Sequence, residues 1–191
     1  MIPDLKRIES KVIGLEKSRD AVMQRSRELI RTAGKAIAMM HASGPGGAKE
    51  MLKQLKKQKA DLSSVERGFE YYALQAHQEY SEALILHGIL SKKVIPSMAS
   101  IGEAEVAYLL GLMDVVGELK REAIESLRKG KNGDAKAYYS IMADIYDSTL
   151  HMRFANSVLP DFRRKQDVAR IQLESVMNEM LRLSRTPSSD K

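Results

Sequence analysis

Apolar residues recur at three- and four-residue spacing along nearly the whole chain, which is the period of an α-helix. The clearest series begins at Leu5 and continues to Met40. It predicts a first helix of about 40 residues, roughly 60 Å long at 1.5 Å per residue. This helix should end in the glycine- and proline-containing segment 43–47, which is typical of a loop. No segment alternates apolar and polar residues with the period of a strand, so no sheet is expected.

Prolines and polar turns divide the rest of the chain into further helices. These are predicted at 48–62, 65–94, 100–129, 135–158 and 161–183. Ser64 is the candidate N-cap of the third helix, and Ser100 opens the fourth. Long helices joined by short turns are typical of an all-α, up-and-down bundle, here of about six long helices. We expect a single domain over residues 1–184 and a flexible C-terminal tail over 185–191.

Composition narrows the classes of function. Of the 191 residues, 43% are hydrophobic and 29% are charged, as in a globular protein. The absence of cysteine excludes a disulfide scaffold, a cysteine nucleophile and thiolate metal sites. Aromatic residues make up only 5%, which argues against single-strand binding on an aromatic platform. The net charge of +6 allows a polyanionic partner. Without a signal sequence or a membrane-length apolar segment, we expect a cytoplasmic protein with no membrane partner.

Acidic residues interrupt the apolar pattern in two helices. In the third, Glu79 falls inside the apolar stripe, and Glu82 lies at its edge, one turn on. In the fourth, Asp114 is the only charge within the apolar segment 106–116, and Glu118 follows one turn later. A carboxylate on an apolar face is costly unless something compensates its charge. Each acid is therefore either part of a functional site or the partner of an Arg or Lys at a helix–helix contact.

If the two acidic faces meet, four carboxylates converge, and a divalent cation would relieve their repulsion. Ligands that are all oxygen favour Mg²⁺, with Mn²⁺ as an alternative, over zinc. Such ions activate water and stabilise in-line displacement at phosphorus, which makes metal-dependent phosphodiester chemistry one hypothesis. The four histidines do not lie three residues after a glutamate, which excludes the Glu-x-x-His signature of di-iron bundles.

Basic residues provide candidate phosphate contacts. One group lies on the second helix, where it would either bind phosphates or form a solvated face. It consists of Lys49, Lys53, Lys56 and Lys57. Arg121, one turn after Glu118, either holds a phosphate or forms an ion pair with Glu118 or Glu125.

Two segments resemble motifs of a known family. Residues 78–83 read Gln-Glu-Tyr-Ser-Glu-Ala, and residues 108–119 read Tyr-Leu-Leu-Gly-Leu-Met-Asp-Val-Val-Gly-Glu-Leu. They resemble the Gln-Glu-Tyr-x-Glu-Ala and Tyr-Leu-Leu-Gly-x-x-Asp-x-x-Gly-Glu-Leu motifs of the translin superfamily, specifically its translin-associated factor X (Trax) branch. Weaker similarities cover most of the chain and include Arg163-Arg164-Lys165-Gln166-Asp167. The short, cysteine-free form resembles an archaeal or other prokaryotic member.

The resemblance implies an all-α protein that assembles into a hollow octamer around RNA. In the Trax-like branch it also implies a Mg²⁺-dependent endoribonuclease whose four carboxylates correspond to Glu79, Glu82, Asp114 and Glu118, with Arg121 matching an Arg of the motif. The leading hypothesis is therefore such an endoribonuclease, acting on RNA inside a homo-oligomer. Two alternatives stay open. One is a non-catalytic, translin-like assembly that binds RNA or single-stranded DNA. The other is an all-α nucleotide pyrophosphohydrolase, although Asp-x-x-x-Glu matches the second acidic pair of that class poorly.

Overall fold

The computed structural model describes residues 3–185. In this part of the chain there are seven α-helices, one short 3₁₀ helix at Pro45–Ala48 and no β-strand, so the predicted all-α fold class is confirmed. The α-helices are α1 (Leu5–Ser43), α2 (Lys49–Ser63), α3 (Glu70–Lys92), α4 (Met98–Ile101), α5 (Glu105–Arg128), α6 (Asn132–Thr149) and α7 (Phe162–Arg185). Residues 186–191, most of the predicted C-terminal tail, lie outside the described residues. None of the helices within residues 3–185 is long and apolar enough to cross a membrane.

The chain divides between Ala83 and Leu84, within α3, into two compact units, called unit 1 and unit 2. In unit 1, α1 and α2 form a helical hairpin whose connection is the 3₁₀ helix. The apolar positions of α1 that the helical period predicted are buried from Val22 onward. The buried apolar side chains of this hairpin include Leu29, Ala33, Met40, Leu55 and Leu62.

The first half of α1 differs from its second half. It continues the same apolar spacing, but its apolar side chains are exposed by 46% to 58%. These side chains are Leu5, Ile8, Val12, Ile13 and Leu15. The helix therefore presents an apolar stripe that the described part of the chain leaves open to solvent.

In unit 2, α5, α6 and α7 each pack against the other two. The start of α7 is fixed to the end of α6 by Gln166, which is 4% exposed. Its side-chain amide donates a hydrogen bond of 2.6 Å to the carbonyl of Thr149. Arg153 donates in turn to the Gln166 side-chain carbonyl, at 3.1 Å. Because both polar atoms of the Gln166 amide are bound, the first turns of α7 are held in a defined position.

Three helix starts differ from the sequence prediction by more than one residue, and one of them is that of α6, which begins at Asn132 rather than at 135. Helix α3 begins at Glu70 rather than at 65, because Ser64 belongs to the end of α2 and donates its backbone N–H to Ala60. The predicted helix 100–129 is two helices, since Gly102 takes a left-handed conformation (φ 68°) that ends α4. Ser97 rather than Ser100 caps α4, with its side chain accepting a hydrogen bond from the Ser100 N–H.

Helix α6 ends at Thr149 and not at 158. The Thr149 carbonyl accepts hydrogen bonds from the Gln166 side chain and, at 3.0 Å, from the Met152 N–H three residues on, which closes a tight turn in place of a further α-helical turn. The Thr149 hydroxyl also donates back to the Ile145 carbonyl, at 2.8 Å. A side chain from another helix therefore takes part in ending α6.

Candidate functional site

Helix α3 carries the first acidic pair, Glu79 and Glu82, both within unit 1. Glu82 is buried, with 8% exposure, and Glu79 is half-buried. The sequence predicted the opposite order of burial, with Glu79 inside the apolar stripe of the helix and Glu82 at its edge. The apolar residues Tyr72, at the start of α3, and Val94, just past its end, are 45% and 58% exposed, whereas residues 80–86 are buried all the way round the helix. Burial at this point of α3 therefore does not follow one face.

The segment before α3 is tied to the helix by His77. Its Nε2 lies 2.6 Å from a carboxylate oxygen of Glu66, and the two side chains are 10% and 17% exposed. An ionised carboxylate only accepts, so the imidazole N–H donates. This hydrogen bond holds the segment leading into α3 against the turn that precedes Glu79.

Helix α5 carries the second pair, Asp114 and Glu118, both half-buried. No residue from 106 to 120 is exposed, as expected for a segment that is apolar from 106 to 116 apart from Asp114. Asp114 accepts a hydrogen bond through Oδ1 from the ammonium group of Lys165 on α7. The side chains of Asp114 and Lys165 are 25% and 14% exposed. Asp114 is thus paired with a lysine at a helix–helix contact, which is one of the two roles that the sequence allowed for it.

A partly open pocket of about 130 Å³ lies beside this ion pair, between α5 and α7. Gly117 contributes to its shape, because a Cβ at this position would lie 3.1 Å from the amide nitrogen of Gln172. A glycine here allows Gln172 to lie against α5. The pocket is lined by Met113, Asp114, Arg164, Lys165, Val168 and Gln172.

The polar residues contributed by α7 were not predicted as site residues. These residues are Arg164 and Lys165, at the start of the helix, and Gln172, in its third turn. The signal available in the sequence was the basic run 163–165, which is part of the segment 163–167 that resembles the family.

Arg121 is exposed on α5. Glu125, one of its two predicted partners, instead pairs with Lys129 at 3.1 Å and with Arg128 at 2.9 Å. The pKa of Glu125 is lowered, first by the hydrogen bond from Lys129 and also by the charge of Arg128. Arg121 is therefore accessible to an anion from solution.

The four basic candidates of α2 are exposed as well. Lys53 forms an ion pair with Glu50 at 2.8 Å, and this pair lowers the pKa of the Glu50 carboxyl. Both side chains of the pair are largely in solvent, so it contributes little to stability. The helix offers an accessible positive face, made by Lys49, Lys53, Lys56 and Lys57.

The chemistry of the predicted ligand set fits Mg²⁺, because all four side chains are carboxylates and none is exposed. Asp114 also holds a cationic group already, the ammonium of Lys165. Among the described residues, however, no three His, Asp or Glu side chains form a group that could hold a metal ion. Glu79 and Glu82 belong to unit 1 and Asp114 and Glu118 to unit 2, so the four-carboxylate site stays a prediction.

Comparison with known proteins gives consistent matches. The model of the Translin family matches residues 17–184. An uncharacterised protein of Methanocaldococcus jannaschii is 30% identical over 167 residues, which cover 85% of this chain and 75% of that protein.

Among solved structures, the crystal structure of AfC3PO is 25% identical, with a TM-score of 0.81 over 95% of this chain and 98% of that one. The AfC3PO–duplex RNA complex is 24% identical, with a TM-score of 0.87 over 96% and 99%. The crystal structure of apo-NeC3PO is 24% identical, with a TM-score of 0.85 over 95% and 97%. Because the family model spans most of the chain, from the middle of α1 to the end of α7, this protein belongs to the translin family.

Proposed function

We propose that this protein is a Mg²⁺-dependent endoribonuclease of the Trax-like, prokaryotic type, which cleaves RNA held inside a hollow cytoplasmic homo-oligomer, with an octamer as the expected assembly. Membership of the translin family supports the proposal. So does the fold shared with the C3PO structures, one of which is a complex with duplex RNA. The motifs at 78–83 and 108–119 support the catalytic branch.

The observation that carries the proposal is the burial of Glu82 one turn from Glu79, on a helix that otherwise buries mainly apolar side chains there. Burying a carboxylate is costly unless its charge is compensated, and such groups cluster at functional sites. We assign the metal ligands as Glu79, Glu82, Asp114 and Glu118. Bound Mg²⁺, or Mn²⁺, would supply the positive charge that polarises a water molecule and neutralises the phosphodiester.

The basic residues have a separate task in this proposal. The exposed lysines of α2 and Arg121 attract the RNA backbone, and their contacts carry no base specificity. Lys165 holds the Asp114 carboxylate in a defined orientation on the face of α5. Binding should therefore be electrostatic, and log Kd should rise steeply with log salt concentration.

The exposed stripe on the first half of α1 supports assembly. Contiguous apolar surface on a helix is typical of an interaction site, and we assign a second copy of this chain as its occupant. Light scattering at micromolar protein concentration should report an oligomer. A monomer under these conditions would contradict the enclosed-RNA arrangement.

The test is a nuclease assay on the wild type and on Glu118→Gln, with Mg²⁺ and with EDTA. The wild type should cleave RNA internally only with Mg²⁺, and Glu118→Gln should lose cleavage while still binding RNA. Glu125→Gln is the matched control, since it removes the same charge from the same helix, two turns further on, at a side chain paired with Lys129. Cleavage that survives Glu118→Gln would exclude this ligand assignment.

A second candidate is an RNA-binding assembly without catalysis. The pairing of Asp114 with Lys165 favours it, because a compensated carboxylate does not require a metal ion. Wild-type protein that binds RNA but leaves it intact with both Mg²⁺ and Mn²⁺ would establish this alternative.

A further inference from the structure

The pocket between α5 and α7 has three hydrogen-bond donors on its α7 side, and only Lys165 among them is bonded to a proposed catalytic residue. Arg164 is 68% exposed and lies 3.6 Å from Asp161, a long contact in solvent that leaves most of its guanidinium N–H groups available. Gln172 adds a side-chain amide, and Lys165 adds an ammonium group that also binds Asp114. The charge of Asp114 is compensated by Lys165, so Arg164 leaves the pocket lining with a net positive charge.

The size of the pocket limits what it can take. A volume of about 130 Å³ has room for a few water molecules or one tetrahedral oxyanion, and is smaller than pockets that enclose drug-sized ligands. The pocket is also open on one side, as required for a group that is part of a longer chain. One phosphodiester group satisfies both conditions.

Two of the three donors, Lys165 and Gln172, are held in place before a ligand arrives. Gln166, next to Lys165 in the sequence, is locked by its two hydrogen bonds to Thr149 and Arg153. Gln172 is seated against α5 through the space left by Gly117. Donors fixed in advance lose little conformational entropy on binding, which favours a specific anion over diffuse charge attraction.

We propose that this pocket is a phosphodiester-binding subsite for RNA, in which Arg164, Gln172 and Lys165 hold one backbone phosphate beside Asp114. The inference rests on the proposed function, because it names a substrate contact of the same site. The contact reads the phosphate alone and is independent of base sequence.

The test measures RNA binding in EDTA, where cleavage does not interfere. A fluorescein-labelled oligoribonucleotide, single-stranded and as a duplex, is titrated by anisotropy over a range of salt concentrations. Arg164→Gln should weaken binding about threefold to tenfold for every RNA sequence and reduce the salt slope by about 1. Gln172→Met, which removes the amide but keeps the length of the side chain, should weaken binding with no change in slope.

Arg170→Gln is the matched control, because Arg170 lies on the same helix, outside the pocket, and is paired with a carboxylate, Glu174, as Arg164 is with Asp161. It removes the same charge and should leave the salt slope unchanged. Equal effects of Arg164→Gln and Arg170→Gln would overturn the subsite. Wild-type binding without Mg²⁺-dependent cleavage would remove only the catalytic part of the proposed function. A wild type that fails to bind RNA would overturn both.

Discussion

Replacing Asp114 by Asn tests the ion pair between α5 and α7. The substitution keeps the shape of the side chain but leaves the ammonium of Lys165, which is 14% exposed, without its charged partner. Breaking a fully buried pair costs about 3–5 kcal/mol, and an exposed pair about 0–1 kcal/mol. Since a quarter of the Asp114 side chain is exposed, we expect an intermediate loss of about 1–3 kcal/mol in EDTA.

The assay is a thermal melt in EDTA of Asp114→Asn, Lys165→Gln and the double variant. A loss of 1 kcal/mol lowers the Tm of a chain of this size by about 2–4 °C, so Asp114→Asn should melt about 2–12 °C below the wild type. The double variant should lose less stability than the two single losses added together. Both charges of the pair are then absent, so neither is left buried without its partner. Glu174→Gln, which breaks the exposed Arg170 pair of α7, should change the Tm little.

A wild-type or higher Tm for Asp114→Asn in EDTA, with no coupling to Lys165, would refute this reasoning. It would mean that repulsion between Asp114 and other carboxylates outweighs the attraction of Lys165.

Further predictions concern glycines and pH. Gly88→Ala should destabilise by about 1–3 kcal/mol in denaturant unfolding, because its Cβ would lie 2.8 Å from the Pro96 ring. Gly14→Ala in α1 meets nothing within 4 Å and should stabilise by about 0.5–1 kcal/mol; the opposite order would contradict the packing at Pro96. The pKa of Glu70 is lowered by the hydrogen bond from the Gly68 N–H, so this carboxylate stabilises the fold above its unfolded-state pKa. That contribution is lost as the pH falls through the folded-state pKa, and Glu70→Gln should show a smaller loss of stability on acidification. Equal acid sensitivity of the two proteins would exclude this role.

The helical period was sufficient to predict which long helices form. It placed α1 at its observed bounds and located the buried segment of α5, because both depend only on how apolar residues repeat along one helix. It failed at the ends of α3 and α6. Those ends depend on hydrogen bonds from residues outside the helix, such as the Gln166 amide on the Thr149 carbonyl.

The acidic candidates, too, could be predicted only as far as they depend on a single helix. Their positions on α3 and α5 followed from the helical period, and their partial burial is observed. The partner of Asp114 could not be predicted, because Lys165 is 51 residues away and lies on a different helix. A periodic pattern indicates which face of a helix is buried, but not which side chain of another helix meets it.

The open stripe on α1 divides this helix into two stretches with different dependence on protein concentration. A single helix without tertiary contacts is marginally stable in water, so the amide hydrogens before Val22 should exchange quickly in a dilute, separated chain. Those near Leu29 and Met40 are protected by the packing of unit 1 and should exchange only when that unit opens. Hydrogen exchange can therefore be followed along this one helix at several protein concentrations. Exchange in its first turns would report the association of chains, and exchange in its last turns would report the opening of unit 1.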